Sequence, residues 1–462
     1  MGALRDRRRP VRLGPAPVEA HGQAHRAGGR RRGVRLVTGF VEALEAARAT
    51  RDTFLQLTPA RAERDAERAR TIRGPLAAIP FAVKDVFDVA GTRTSGASRL
   101  LDYRSQATAD AEAVRRITAA GGVCVGKTTL SELAYSGLGV NDRFGTPTIR
   151  RGGREYVVGG SSSGAAAAVR AGIVSVALAS DTSGSARIPA AWAEVYGFRP
   201  SIGRYPGAGM LPLSPTLDTV GIIAADAATL IDVDAVLARE PRRREERPSA
   251  KFAVPHDDYL DGCDPAVLAE FHATIDDLRD RGISLEQRRF SALDIARGLH
   301  ATGMPIVEEE AFAAYGPYLD RHPARLTAAV RRRLERARLR GREHSATPLR
   351  NAMSALRARF AEELRDDILL SPTTEIDVPT LHDVRTSAER EDELNSRALR
   401  LTMTLSYLDS PSVVLPLSSR ARSHTVAPNL QLSARSGRDR RVLVEGARLA
   451  TYDSRTREEE SA

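Results

Sequence analysis

Apolar and charged residues alternate at helical spacing from Val41 through Leu44 and Ala47 to Arg70, which predicts one or two surface helices over 41–70. A denser apolar stretch, Ile79-Pro80-Phe81-Ala82-Val83, ends abruptly at Lys84-Asp85, so 76–89 is expected to hold paired strands. Asp110 to Ala120 is amphipathic, Gly121-Gly122 ends it, and Val123 to Val125 reads as the strand that follows. The alanines of Ser163 to Ala171 favour a helix that Gly172 can cap, after which Ile173 to Ala179 is expected as a buried strand. Pro241 to Pro248 is rich in arginine, glutamate and proline and reads as an exposed connection; long charged helices are expected beyond it, over 322–342 and 348–366. Helix and strand units in alternation predict an α/β fold with helices on both faces of its sheet.

At 462 residues and 42% hydrophobic content, the chain can bury a core of one or two domains. The net charge of +10 is unevenly placed. Residues 1–36 carry ten arginines against Asp6 and Glu19, a balance of +8 that leaves +2 for everything after them. Such a tail can touch nucleic acid or an anionic membrane, but its Pro, Gly and Arg content is that of a disordered leader, or of residues upstream of the true start, and 1–36 is read so. It lacks the apolar core of a secretory signal. Arg170 interrupts the best apolar run, Ala165 to Ala179, so no membrane span is expected. Cys124 and Cys263 are too few for a disulfide framework, and no Cys/His spacing suggests a metal. A cytoplasmic protein without metal or other cofactor is the expectation, with nucleic acid an unfavoured partner.

Only three lysines, Lys84, Lys127 and Lys251, stand among 69 basic residues. A coding preference for arginine explains the skew, yet it draws attention to the exceptions. Arginine keeps its proton at any accessible pH, whereas a desolvated lysine can lose one and act as a base. Lys84, at the end of an apolar approach, is placed for that. Two serine-glycine clusters lie downstream: Gly159-Gly160-Ser161-Ser162-Ser163-Gly164, and Asp181-Thr182-Ser183-Gly184-Ser185-Ala186-Arg187-Ile188-Pro189. One short helix and one strand separate them, which can bring two hydroxyls together at a sheet end among exposed backbone N–H groups. The chemistry this suggests is attack by a serine on a carbonyl, with amides stabilising the oxyanion.

The paired clusters with Lys84 upstream in Val83-Lys84-Asp85 resemble the amidase signature family of serine hydrolases. Further similarity runs through Gly74 to Pro80, Val123 to Thr128, Gly197-Phe198-Arg199-Pro200-Ser201 and Leu217-Asp218-Thr219-Val220-Gly221, and returns weakly at Leu370 to Thr374 and Asn429 to Leu432. The resemblance implies a single large domain, 37–462, around a mixed, twisted sheet. It implies Ser185 as nucleophile, Ser161 as bridging serine after a cis Gly160–Ser161 bond, and Lys84 as base. The backbone N–H groups of Thr182, Ser183, Gly184 and Ser185 would form the oxyanion hole, with Asp181 and Arg187 as supports of the loop. Many relatives have glycine where this chain has Ser183, so a small side chain enters the site. The expected activity is cleavage of a small-molecule amide through an acyl-enzyme, with a homodimer left open. Two alternatives stand beside it: the amidase subunit of a tRNA-dependent amidotransferase, and a non-catalytic protein that keeps the fold. Phe144-Gly145-Thr146-Pro147 and 197–221 carry a weak similarity to aryl-acetamide hydrolases.

Two other patterns are set aside. Gly121 to Thr128 satisfies G-x-x-x-x-G-K-[ST], but its interior is strand-like and no strand precedes it, so a phosphate loop is not expected. The arginines at 331–340 are expected on a solvated helix face, and His256, His272, His300, His322, His344, His382 and His424 are too scattered to suggest a site.

Overall fold

The computed structural model describes residues 39–241, 251–416 and 430–460, so the expected leader and most of the connection at 241–248 lie outside the described residues. Thirteen strands are present among them: β1 Phe54–Leu57, β2 Pro80–Lys84, β3 Val123–Thr128, β4 Thr148–Arg151, β5 Arg154–Val157, β6 Val176–Asp181, β7 Tyr196–Arg199, β8 Thr219–Ala224, β9 Phe252–Pro255, β10 Leu285–Arg288, β11 Ile368–Pro372, β12 Ser412–Leu415 and β13 Leu430–Ser433. Eleven form one sheet in the order β1-β3-β2-β6-β8-β7-β12-β13-β11-β9-β10, while β4 and β5 pair as a separate hairpin. The sheet is mixed. Parallel pairs β3-β2-β6 and β11-β9-β10 flank a run of antiparallel neighbours.

Side-chain alternation shows how both faces are buried. On β2 and β6, Phe81, Val83, Val176 and Leu178 enter one core with Val114 and Ile117 of the helix Glu112–Ala119 and Leu230 and Val233 of the helix Ala227–Ala238. Their alternates Ala82, Ala177 and Ala179 face the other core, with Ala165, Ala166 and Ala168 of the helix Ser163–Arg170. Alanine on both sides lets that helix lie close to the sheet, which sets where its N-terminal serines stand. Ala177 has no exposed surface. Ala177→Leu is therefore expected to cost about 1–3 kcal/mol by overpacking, read from denaturant melts.

Three expectations from the chain need correction. The 41–70 stretch is two helices, Phe40–Ala49 and Pro59–Ala69, but strand β1 separates them. Asp52 takes a left-handed turn after the first helix, and Pro59 starts the second. Over 76–89 only Pro80–Lys84 is strand. The N–H groups of Val86 and Phe87 turn back to the Lys84 carbonyl at 2.7 and 3.1 Å, ending β2 at the lysine. The buried strand after Gly172 begins at Val176, later than expected, and continues to Asp181. The long helices lie at Ala328–Glu343 and Thr347–Leu364. No helix among the described residues is long and apolar enough to cross a membrane.

Candidate active site

Lys84 closes β2, and Ser180 and Asp181 close β6, its parallel neighbour, so their side chains leave the sheet at the carboxyl ends of adjacent strands. Ligand sites of α/β sheets gather at such ends. Ser161 reaches the same place in the loop between β5 and the helix Ser163–Arg170. Its peptide bond with Gly160 is cis. The Gly160 N–H donates to the Gly137 carbonyl at 2.7 Å, and the Ser161 carbonyl accepts the Ser131 N–H at 3.1 Å. A Cβ at 160 would stand 2.5 Å from the Gly139 nitrogen, so only glycine fits there.

Lys84 is completely buried, and its Nζ donates to Ser161 Oγ at 2.7 Å and Ser180 Oγ at 2.8 Å. Burial pushes its pKa down to about 7, against the opposing pull of the Asp181 and Asp218 carboxylates. Near neutral pH a large share of the amine is therefore uncharged. Lys127 makes the contrast. It is equally buried in β3, but its Nζ meets Asp85 at 2.6 Å and the Arg93 carbonyl at 3.1 Å. Asp85 in turn accepts Ser95 N–H at 3.0 Å and pins the loop over 93–97. The Gly126-Lys127-Thr128 part of the rejected phosphate pattern thus lies inside a strand, and its lysine is spent on a structural ion pair. Lys251 is exposed.

Ser185 sits in the turn after β6, 3% exposed, and its carbonyl accepts the Ser162 N–H at 3.2 Å, which ties the two serine loops together. Asp181 organises the turn. Its carboxylate accepts the N–H groups of Gly184 at 2.8 Å, Ala186 at 3.1 Å and Arg187 at 3.3 Å, and the Arg187 guanidinium through Nε and Nη2, both at 3.0 Å. Burial alone would raise this carboxyl, but the Arg187 and Arg199 charges and these hydrogen bonds hold it below the usual carboxylate range. The pair is thus a buried network rather than an ordinary local contact: Arg187 also reaches Ser406 Oγ at 2.8 Å, and Arg199 lies 3.7 Å from Asp181. Gly184 has φ +133°, a region that disfavours other residues.

Several contributors are not among the site residues expected from the chain. Ser180, the second partner of Lys84, looks like any strand residue; only the β2-β6 register places it. Asp218 accepts Thr182 Oγ1 at 2.6 Å and the N–H groups of Leu213 and Ser214 at 2.9 and 3.0 Å, while burial raises its pKa to about 6. The helix Ala388–Tyr407 supplies Asn395, Thr402 and Ser406 beneath both loops. The expected solvated arginine face is also corrected. Arg333 is buried, donates to the Tyr135 carbonyl at 3.1 Å and pairs with Glu391 at 3.0 Å, while Arg336 and Arg340 pair with Glu308. These arginines fasten their helix to its neighbours because acidic residues from distant segments pack against it.

Residues 35–443 match the family model described as Amidase. The chain belongs to the amidase family. Among its relatives, a 2-amino-5-chloromuconic acid deaminase from Comamonas testosteroni is 30% identical over 373 residues, covering 77% of this chain and 78% of that one. A glutamyl-tRNA(Gln) amidotransferase component from Deinococcus radiodurans is 38% identical over 237 residues, 48% of each chain. Several curated relatives, the amidotransferase component included, are matched over less than half of their own length. A solved structure titled as that of an amidase superposes with a TM-score of 0.76 at 29% identity, covering 89% of this chain and 95% of its own. In this amidase-family chain, the matched region takes in Lys84, Ser161 and Ser185 together.

Proposed function

We propose that this member of the family hydrolyses a small linear carboxamide, with Ser185 as nucleophile, Ser161 as relay and Lys84 as base. The observation that carries the reading is a fully buried amine whose side-chain hydrogen bonds go to hydroxyls alone, Ser161 at 2.7 Å and Ser180 at 2.8 Å. Neutral Lys84 takes the Ser161 proton while Ser161 takes that of Ser185, and the Ser185 oxygen bonds to the substrate carbonyl carbon. The oxyanion is held by turn amides. Gly184 N–H is engaged by Asp181, so Thr182, Ser183 and Ser185 are the donors assigned to it. The proton returns through Ser161 to the leaving nitrogen, the C–N bond breaks, and an acyl group remains on Ser185. Water, deprotonated by the same relay, then releases the acid. The enzyme is proposed as cytoplasmic.

The test is a panel of simple amides and esters together with a fluorophosphonate probe. Turnover and a mass-spectrometric adduct on Ser185 are expected; turnover without the adduct, or neither, would refute the assignment. Because the base must be uncharged, rate is expected to rise with pH and reach half its plateau near the Lys84 value of about 7, falling tenfold per pH unit well below it. A pH profile of kcat/KM checks this. The similarity to an amidotransferase component supports a second reading, in which the released ammonia passes to a partner protein. Co-purification of a second polypeptide would favour that version.

A further inference from the structure

On the helix Ala388–Tyr407, Asn395, Leu399, Thr402 and Ser406 follow one another at intervals of four, three and four, so they share one face. That face braces the second serine loop directly and the first through Gly137. Asn395 Oδ1 accepts the Gly137 N–H at 2.8 Å, and the Gly137 carbonyl holds Gly160 N–H at 2.7 Å. Thr402 Oγ1 donates to the Ser183 carbonyl at 2.6 Å, and Ser406 Oγ accepts from Arg187 at 2.8 Å. A helical threonine hydroxyl ordinarily turns back to a carbonyl of its own helix. Here that alternative, Leu399 at 3.1 Å, is the longer contact, and the shorter one goes to the turn.

The consequence concerns one peptide unit. The carbonyl of Ser183 and the N–H of Gly184 belong to the same plane and point in opposite directions. Thr402 takes the carbonyl and Asp181 takes the N–H at 2.8 Å. A flip of this unit would turn the carbonyl oxygen against the Asp181 carboxylate and leave the buried Thr402 hydroxyl without it.

Resting on the acyl-transfer reading above, we propose that Thr402 is a positioning residue: its hydroxyl fixes the Ser183–Gly184 peptide so that the Ser183 and Ser185 amides on either side of it face the reacting carbonyl. It touches no reacting atom; it acts through the turn.

Thr402→Val keeps the shape and removes the hydroxyl, whereas Thr402→Ser keeps the hydroxyl. Thr404→Val is the control, since Thr404 is equally buried on the same helix but bonds to the Arg400 carbonyl at 2.9 Å. The measurements are kcat, KM, the rate of Ser185 labelling by the fluorophosphonate, and thermal melting. Thr402→Val is expected to lower kcat and the labelling rate about tenfold, the worth of one hydrogen bond, with KM little changed. Thr402→Ser should remain within about threefold of wild type, as one retained hydroxyl implies. Thr404→Val should shift melting alone. Wild-type rates in Thr402→Val would overturn the proposal. So would equal loss in all three variants, which would mean a stability effect only. If wild-type protein itself fails to label at Ser185, the hydrolase reading falls and this inference with it; labelling in wild type and equally fast labelling in Thr402→Val would overturn this inference alone.

Discussion

Ser185→Ala is expected to reduce amide turnover by about 10⁴-fold or more, because the change removes the attacking oxygen of the proposed mechanism. Ser161 and Ser180 both lie within hydrogen-bond reach of Lys84, but Ser161 is bound into a glycine-lined loop and Ser180 ends a strand. Of these three serines, Ser185 is the one in the turn that Asp181 organises, and its carbonyl ties that turn to Ser162. The fold should tolerate the change. The serine is 3% exposed, and losing one hydroxyl costs on the order of 1 kcal/mol. Steady-state kinetics with a melting curve on the same sample separates the two effects. Substantial turnover in a well-folded Ser185→Ala protein would remove Ser185 from the mechanism.

The second large effect is expected at Lys84. Lys84→Arg should lose about 10³-fold or more in kcat, although the charge type is kept, since a guanidinium does not give up its proton and so cannot serve as a base. Lys84→Met should be as inactive yet behave differently in stability. The amine keeps its proton up to 10.5 when unfolded and only to about 7 when folded. Below pH 7 both states are protonated and the fold carries the full cost of burying the charge. As pH rises from 7 toward 10.5 that cost fades, because the folded lysine has given up its proton and releasing that proton on folding costs less at each higher pH, until the unfolded chain loses it too near 10.5. Lys84→Met is therefore expected to gain stability at pH 6 relative to wild type, and to gain less at pH 9. Denaturant melts at the two pH values measure this, and a larger benefit at pH 9 would contradict the assigned shift. A group that harms stability where it serves turnover is a common feature of catalytic sites.

How much of this was legible in the chain differs from residue to residue. The helix Ser163–Arg170 was readable because alanine propensity and a terminal glycine act locally, and Gly172 does take a positive φ. Lys84 stood out because arginine had displaced lysine nearly everywhere, and the serine-glycine clusters because such turns are written in consecutive residues. The strand β1 was hidden, since four residues at a sheet edge leave too short a pattern to separate from the helices beside it. The arginine-rich helix misled for a related reason. Spacing shows which residues share a face, but not that Glu391 and Glu308 would come to meet it.

What the sequence determined by itself was the inventory and the order: a lysine at the end of an apolar strand, two serine turns, and the alternating elements between them. These depend on neighbours within a few positions along the chain. Tertiary structure decided which hydroxyls the amine would meet and what would brace the turn. Ser180 comes from 96 residues beyond Lys84, and Thr402 from 219 beyond Ser183. It also decided that Lys84 and Lys127, alike in type and burial, would differ in partner, one facing hydroxyls and the other a carboxylate. Strand register and the packing of a remote helix set those contacts, and neither is encoded in any short stretch of residues.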